Sequence, residues 1–301
     1  MTSTTQDRVV IKGAPLRGTL DRQNLGVLVP LLPIVLFLGF FFFFPMAVVF
    51  VDSFKSNEGN WSMINIVTIF HDPYRMAFIN SIKLGLVSAI TASIPGALFA
   101  YVIETKGSQS LRRIVSSLSG VLANTGGVPL AFMFVAAFGA EGSAVMILKK
   151  LGWDLYAGNF SLFSFTGIVV VYLYFQIPLM IIVFSPAIHG IRKEWRDASQ
   201  NLGATPLQFW RFIGLPLLLP SFAASFLLLF ASAFAAYATA RAMTVGNIAL
   251  VPLQIGNLVD GNVSINQANA GKALAVGMVV ISAIAMIPYL IIQRRARRWQ
   301  T

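Results

Sequence analysis

The sequence predicts an all-α membrane protein: six transmembrane helices, with a short amphipathic helix outside the bilayer between the fourth and the fifth. Three observations carry this. Of 301 residues, 56% are hydrophobic and 11% charged, a balance foreign to soluble globular domains. The apolar residues gather into six runs without Asp, Glu, Lys or Arg, each at or above the ~20 residues that a helix needs to cross the hydrocarbon core. The polar stretch from Arg192 to Pro216, between two of those runs, has the period of a helix.

In chain order, residues 1–24 are polar, carry Arg8, Lys12, Arg17 and Arg22, and show no apolar period; they read as a loosely held tail. The run Leu25 to Val51 outlasts the ~7 to 15 residues of a signal-peptide core, and no small-residue cleavage site follows it, so it reads as the first span. Its Pro30, Pro33 and Pro45 are tolerable inside a membrane helix. The rings of Phe40 to Phe44 point all round such a helix and are assigned no site. The later runs are Leu84 to Ile103, Ile114 to Ala140, Leu155 to Ile191, Phe212 to Ala240 and Ala273 to Gln293. The fourth of the six runs is long, but an extra-membrane piece around Tyr156 to Ser161 and a turn at Gly190 leave room for one span. The membrane domain is thus 25–293, followed by a basic tail over 294–301.

Orientation follows from the distribution of Lys and Arg. One side collects Arg8, Lys12, Arg17, Arg22, Lys106, Arg112, Arg113, Arg192, Lys193, Arg196, Arg211, Arg294, Arg295, Arg297 and Arg298. The other has Lys55, Arg75, Lys149, Lys150 and Arg241. Both termini and the stretch 192–216 therefore belong on the cytoplasmic side. The net charge of +11 flanks the apolar runs instead of forming a groove of its own, which speaks against nucleic acid as a partner.

Several chemistries are excluded. There is no cysteine, and only His71 and His189 offer imidazole, so neither thiol chemistry nor a His/Cys metal site is expected. No acidic residue falls inside the six apolar runs; Asp52, Glu104, Glu141 and Asp260 sit at edges or in loops. Carriers driven by an ion gradient usually keep ionisable groups at membrane depth, so an external motor is favoured. No G-x-x-x-x-G-K-[ST] loop occurs, which places ATP hydrolysis and its magnesium on a partner and leaves this chain without a cofactor or catalytic residue.

Polar residues in the spans, within the runs or just ahead of one, are candidates for a solute pathway: Asn80, Asn124 and Thr125, Tyr172 and Gln176, Ser232 and Tyr237. Asn124 and Thr125 precede Gly126, Gly127 and Pro129, a cluster that breaks or bends a helix. Non-helical backbone at membrane depth is tolerated against protein or a water-filled cavity, so Asn124 to Val128 is either a pathway element or a packing kink. Tyr172, Gln176, Ser232 and Tyr237 also suit hydrogen bonding between helices. Lys83 and Lys272, near the outer ends of their helices, are expected to snorkel.

In the stretch 192–216, Ile191, Trp195, Ala198 and Leu202 stripe one helix face, while Arg192, Lys193, Glu194, Arg196, Asp197, Gln200 and Asn201 take the other. Gly203 suits the C-terminal stop; Thr205, Pro206 and Gln208 supply an N-cap, a first-turn proline and a capping box for a second helix. Helix, sharp corner, helix is the expectation.

Here the sequence resembles the permease subunits of type I ATP-binding-cassette importers. Their signature, Glu-Ala-Ala, three residues, Gly, nine residues, Ile, one residue, Leu-Pro, is matched by Asp197, Ala198, Ser199, Gly203, Ile213, Leu215 and Pro216, with Asp for Glu and Ser for Ala. The resemblance implies that this is a cytoplasmic coupling helix, with Glu194, Asp197, Ala198, Gly203, Ile213, Leu215 and Pro216 at the contact with an ATPase subunit. It further implies a bacterial inner-membrane location, a second permease subunit (the same chain or, preferably, a different one), two ATPases and an extracytoplasmic solute-binding protein. The segment Phe138-Gly139-Ala140-Glu141-Gly142, continuing to Leu151-Gly152, is similar to the Gly-x-x-Gly loop of permeases for polyamines, iron(III) and aminophosphonates. A secondary carrier and a non-transporting scaffold remain alternatives at this point.

Overall fold

The computed structural model describes residues 31–297 other than 57, 159, 245 and 261–267, with the backbone alone at 268 and 293–297. The expectations for the N-terminal tail, the first residues of span one and the end of the C-tail lie outside the described residues. Contacts along the chain divide it into two units, Met1–Val48 and Val49–Thr301.

Most of helix α1, Leu32–Ser53, belongs to the first unit. It carries a π-turn over Gly39–Phe43, where a Gly ahead of four aromatic residues lets one extra residue enter the turn. Its rings pack along the helix surface, Phe37 tilted against Phe41 at 4.8 Å and Phe40 stacked on Phe44 at 5.9 Å between centroids.

In the second unit the order is α2 (Ile64–Thr68), α3 (Tyr74–Lys106), α4 (Gln109–Asn124), α5 (Val128–Phe138), α6 (Ser143–Lys150), α7 (Phe165–His189), α8 (Lys193–Asn201), α9 (Pro206–Ala235), α10 (Ala238–Thr244), α11 (Val251–Val259) and α12 (Ala268–Arg297). Six helical stretches are long and apolar enough to span: Leu32–Ser53, Tyr74–Lys106, Val128–Lys150, Phe165–His189, Pro206–Ala235 and Asn269–Ile292. Six spans are as expected, but their bounds differ: the second begins at Tyr74, ahead of Leu84, the third is Val128–Lys150 instead of Ile114 to Ala140, the fourth starts at Phe165, and the fifth is Pro206–Ala235. The single run Ile114 to Ala140 is two helices, α4 and α5, parted at Thr125 to Gly127. The run Phe212 to Ala240 stops being one helix at Ala235, because Ala236 turns extended at ψ 109°.

The centre of the bundle is α3 against α7. Along α3 the buried residues are nearly all small: Ala77, Ser81, Gly85, Ala89 and Ser93 in one row, Ser88, Ala92, Gly96 and Ala100 in the next. Rows of small residues four apart let two helix backbones approach closely, which is how membrane helices gain packing without a hydrophobic driving force. A Cβ at Gly96 would stand 2.6 Å from Met180 Cβ of α7. On its other side α3 meets α9, where a Cβ at Gly85 would stand 3.0 Å from the Phe230 ring. Tyr172, Met180 and Leu229 are fully buried in this centre.

Three acidic residues lie within the stretches long enough to span: Glu141 at the turn between α5 and α6, and Asp52 and Glu104 in the last turns of their helices. Asp52 is in the last turn of α1, and Lys272 of α12 pairs with it at 3.0 Å, with Lys55 at 3.3 Å. Lys272 is thus held by a carboxylate instead of snorkelling freely. Nearby, Asn269 donates to the carbonyls of Lys55 and Ser56 at 3.1 Å each, and Asn65 donates to Lys55 O at 2.7 Å. Glu104, near the end of α3, faces His189 and Arg112.

Candidate functional site

The stretch 192–216 forms the expected corner. Helix α8 ends in a Schellman arrangement: Gly203, at φ +80°, donates to Gln200 O, and Ala204 donates to Ser199 O, both at 2.9 Å. Two residues later Thr205 caps α9. Its hydroxyl accepts from Gln208 N–H at 3.3 Å while Gln208 Oε1 accepts from Thr205 N–H at 2.7 Å, with Pro206 in the first turn. The N–H groups of Gly203, Ala204, Thr205 and Gln208 all find acceptors across the turn.

The two faces of α8 differ as the stripe predicts. Trp195, Ala198, Ser199 and Leu202 line an open groove of about 1080 Å³ together with Phe212, Ile213 and Pro216 of α9. Glu194 and Asp197 are exposed on the other side. Among the described residues neither carboxylate takes part in an ion pair, Lys193 included. Arginines at the stretch lie over aromatic rings: Arg192 over Trp195 at 5.8 Å, Arg196 over Phe209 at 5.5 Å and Arg211 over Phe212 at 5.7 Å. Leu215 and Pro216 are exposed at the start of the long part of α9. Gly214 beside them is covered by Trp210, whose ring would clash with a Cβ at 2.5 Å and which meets Tyr101 edge-on at 5.0 Å. Trp210 was not among the expected site residues; its place in the signature spacing is one of the unspecified ones, so nothing in the pattern marks it.

The pathway candidates fall into two groups. Around the helix interruptions, Asn124 donates to Gly120 O at 2.8 Å and Thr125 to Val121 O at 2.7 Å, closing the end of α4. Gly127, at φ +83°, donates its N–H to Thr239 Oγ1 at 2.8 Å. Thr239 belongs to α10, just past the break at Ala236, so the two interruptions are joined. Tyr172 OH reaches Ala236 O of that break at 3.4 Å. Tyr237 lies between α9 and α10 with its ring against Gly256 of α11, and Ser232 is half-buried on α9. The second group is structural in its contacts. Gln176 is fully buried and donates to Ser88 Oγ at 3.1 Å. Asn80 donates to Ala249 O at 3.1 Å, ahead of α11. Thr239 and Ala236 were missed by sequence reasoning: Ala-Ala-Tyr carries no breaker residue.

The Gly-x-x-Gly segment is a close turn between α5 and α6. Gly142 donates to Gly139 O at 2.8 Å, and a Cβ on Gly142 would overlap the Ala137 carbonyl.

Six helical stretches long and apolar enough to span, a doubly capped corner between α8 and α9, and two joined helix breaks are the features of a multi-pass membrane protein. The chain belongs to the family of binding-protein-dependent transport system inner membrane components, whose sequence model matches residues 93–298. It is similar to the trehalose transport system permease protein of Mycobacterium tuberculosis, at 26% identity over 225 residues, 74% of each chain. It is also similar to the probable sulfate transport system permease protein of Helicosporidium, at 27% identity, covering 67% of this chain and 71% of that one. The putrescine transport system permease protein of Escherichia coli K12 is 23% identical, covering 65% and 68%. Its fold matches that of a bacterial ABC transporter involved in the import of the acidic polysaccharide alginate, with TM-score 0.67, 19% identity and coverage of 92% and 96%. The MetNI methionine ABC transporter matches with TM-score 0.51, 16% identity and coverage of 75% and 99%. The protein is therefore the inner-membrane permease subunit of a binding-protein-dependent ABC importer, without an ATPase domain or a cofactor of its own.

Proposed function

We propose that this permease forms half of the passage for a small polar solute of the polyamine or aminophosphonate kind. It pairs with a second, different permease chain over two ATPase subunits, with both termini in the cytoplasm. Its α8 corner sits on one ATPase through Glu194, Asp197, Ala198, Gly203, Ile213, Leu215 and Pro216. The passage runs past the joined interruptions at Asn124 to Gly127 and Ala236 to Thr239, with Tyr172, Ser232 and Tyr237 beside them and with Asn80 and Gln176 holding the surrounding helices. Relatives named for putrescine support the solute class, and those named for trehalose and sulfate widen it to small polar solutes generally.

The observation that carries the coupling role is Asp197. It occupies the acidic position of the signature, is exposed, and has no cation of its own chain paired with it among the described residues. An exposed intrahelical pair with Lys193 would contribute only about 0.3 to 0.5 kcal/mol in any case. A charged hydrogen bond buried against a partner costs about 2 to 5 kcal/mol to break. Asp197→Ala should therefore strip the ATPase from the detergent-purified complex and abolish uptake, whereas Asp197→Glu should retain both. Copurification and uptake unchanged in Asp197→Ala would reduce α8 to a helix resting on lipid headgroups.

A further inference from the structure

We infer that Arg241 and Asp260 are the solute-contact pair of the passage and take a small zwitterion, a phosphonate or carboxylate carried beside an ammonium. The inference rests on the passage proposed at the helix interruptions and narrows its solute by excluding polycations. Arg241 is two residues beyond Thr239, which joins the two interruptions by accepting from Gly127 N–H at 2.8 Å. Past Gly127, helix α5 continues for 11 residues, about 16 Å of helix, before the turn at Gly139 to Gly142. Arg241 is therefore set back from that end of the bundle. Thr239 is buried, whereas Tyr237 and Arg241, four residues apart and linked by Arg241 N–H to Tyr237 O at 2.8 Å, share the other, exposed face. A guanidinium stays charged in any protein environment, and charged groups set among spanning helices mark solute and ion pathways.

The neighbours of Arg241 orient it without using it up. Its guanidinium donates to Asn257 Oδ1 of α11 and lies 3.9 Å from Asp260 Oδ2, the C-cap residue of the same helix. The contact with Asn257 fixes the direction of the fork; the one with Asp260 is too long for a hydrogen bond. Both charged side chains are exposed, and an exposed pair at that distance holds neither partner firmly. Of the five N–H donors of a guanidinium, most are left for a ligand. An arginine fork matches two oxygens of an anionic group in parallel bonds, and Asp260 beside it can accept from an ammonium on the same molecule. Tyr237 stands on the same face with its hydroxyl close to Gly256. A polycation meets the opposite situation. It would set one ammonium against Arg241, and no acidic residue occurs between Asp197 and Asp260, so nothing on α9 or α10 would hold its second one.

The chain has no cysteine, so Val259→Cys, exposed and next to Asp260, carries a single environment-sensitive fluorophore. The full-length labelled permease, purified with its ATPase subunits, is titrated with aminoethylphosphonate, β-alanine, ethylphosphonate and putrescine. At least one of the two zwitterions should give a saturable response, and putrescine none. Arg241→Gln should raise the half-saturating concentration of that zwitterion and of ethylphosphonate about tenfold, through loss of the paired charge-assisted bonds. Asp260→Asn should weaken the zwitterion by a similar factor and leave ethylphosphonate, which has no ammonium, unchanged; a merely structural role for Asp260 would move both. Saturation by putrescine, no saturation by either zwitterion, or a zwitterion response that Arg241→Gln leaves unchanged would overturn the pair. Should Arg241→Gln fail to assemble, the two phosphonates on Asp260→Asn decide alone. A separate Asn124→Cys permease tests the passage itself. If it is inert to a water-soluble thiol reagent, the passage does not run past the interruptions, while the titrations still decide Arg241 and Asp260.

Discussion

At Gly203 the constraint is purely one of backbone. Its φ is +80° and no atom lies within 4 Å of where a Cβ would stand, so a side chain there meets open space and is penalised only by about 1 to 2 kcal/mol for the left-handed conformation. Asn visits that region more readily than other side chains, and β-branched residues least. Gly203→Asn should therefore keep near-normal uptake, whereas Gly203→Val should unlock the corner and uncouple hydrolysis from uptake with membrane insertion intact. Rates of ATP hydrolysis and solute uptake in proteoliposomes check this; normal uptake in Gly203→Val would mean that the corner does not transmit force. The residues of this corner were fully legible in the sequence, because Gly, Thr, Pro and Gln each have a local reason to be where they are. Trp210 and Thr239 were not, since their roles depend on partners far along the chain: Trp210 on Tyr101, and Thr239 on Gly127.

Between elements, the contact most sensitive to volume is that of α3 with α7. At Gly96 the obstacles to a side chain are Met180 Cβ at 2.6 Å and the Ile177 carbonyl at 3.2 Å, neither of them the far end of a flexible side chain. Gly96→Val should cost about 1 to 3 kcal/mol through overpacking and lower the thermal midpoint of the purified permease, while the same change at Gly120, with nothing within 4 Å, should cost far less. Equal midpoints for the two variants would show that α3 and α7 do not pack as described. The rows of small residues that create this contact were present in the sequence as Ala, Ser and Gly every fourth residue, but an apolar run read for length alone hides them. The break between α4 and α5 was legible from Gly126 and Gly127. The break after Ala235 was not, because tertiary contacts at Tyr172 and Gly127 set it rather than any local breaker.

For the whole molecule, composition and run length were enough for six spans, since crossing a bilayer is a demand on length and polarity that few other needs mimic. Orientation rests on charge, and the absence of native cysteine makes it directly measurable. In intact spheroplasts, Trp153→Cys, beyond α6, should react with a membrane-impermeant maleimide, and Ser110→Cys, at the start of α4, should react only after lysis; the reverse pattern would invert the assignment. The reading of acidic residues was incomplete for a physical reason: helices run on past their apolar runs, so α3 carries Glu104 and α1 carries Asp52 inside their last turns. The corner between α8 and α9 has a mechanical consequence as well. With both helix ends capped across Gly203 to Gln208 and Arg196 of α8 over the Phe209 ring of α9, the joint is held from both sides. A soft joint passes on tension alone, whereas a stiff one passes on torque, so a tilt of α8 should emerge as a tilt of α9.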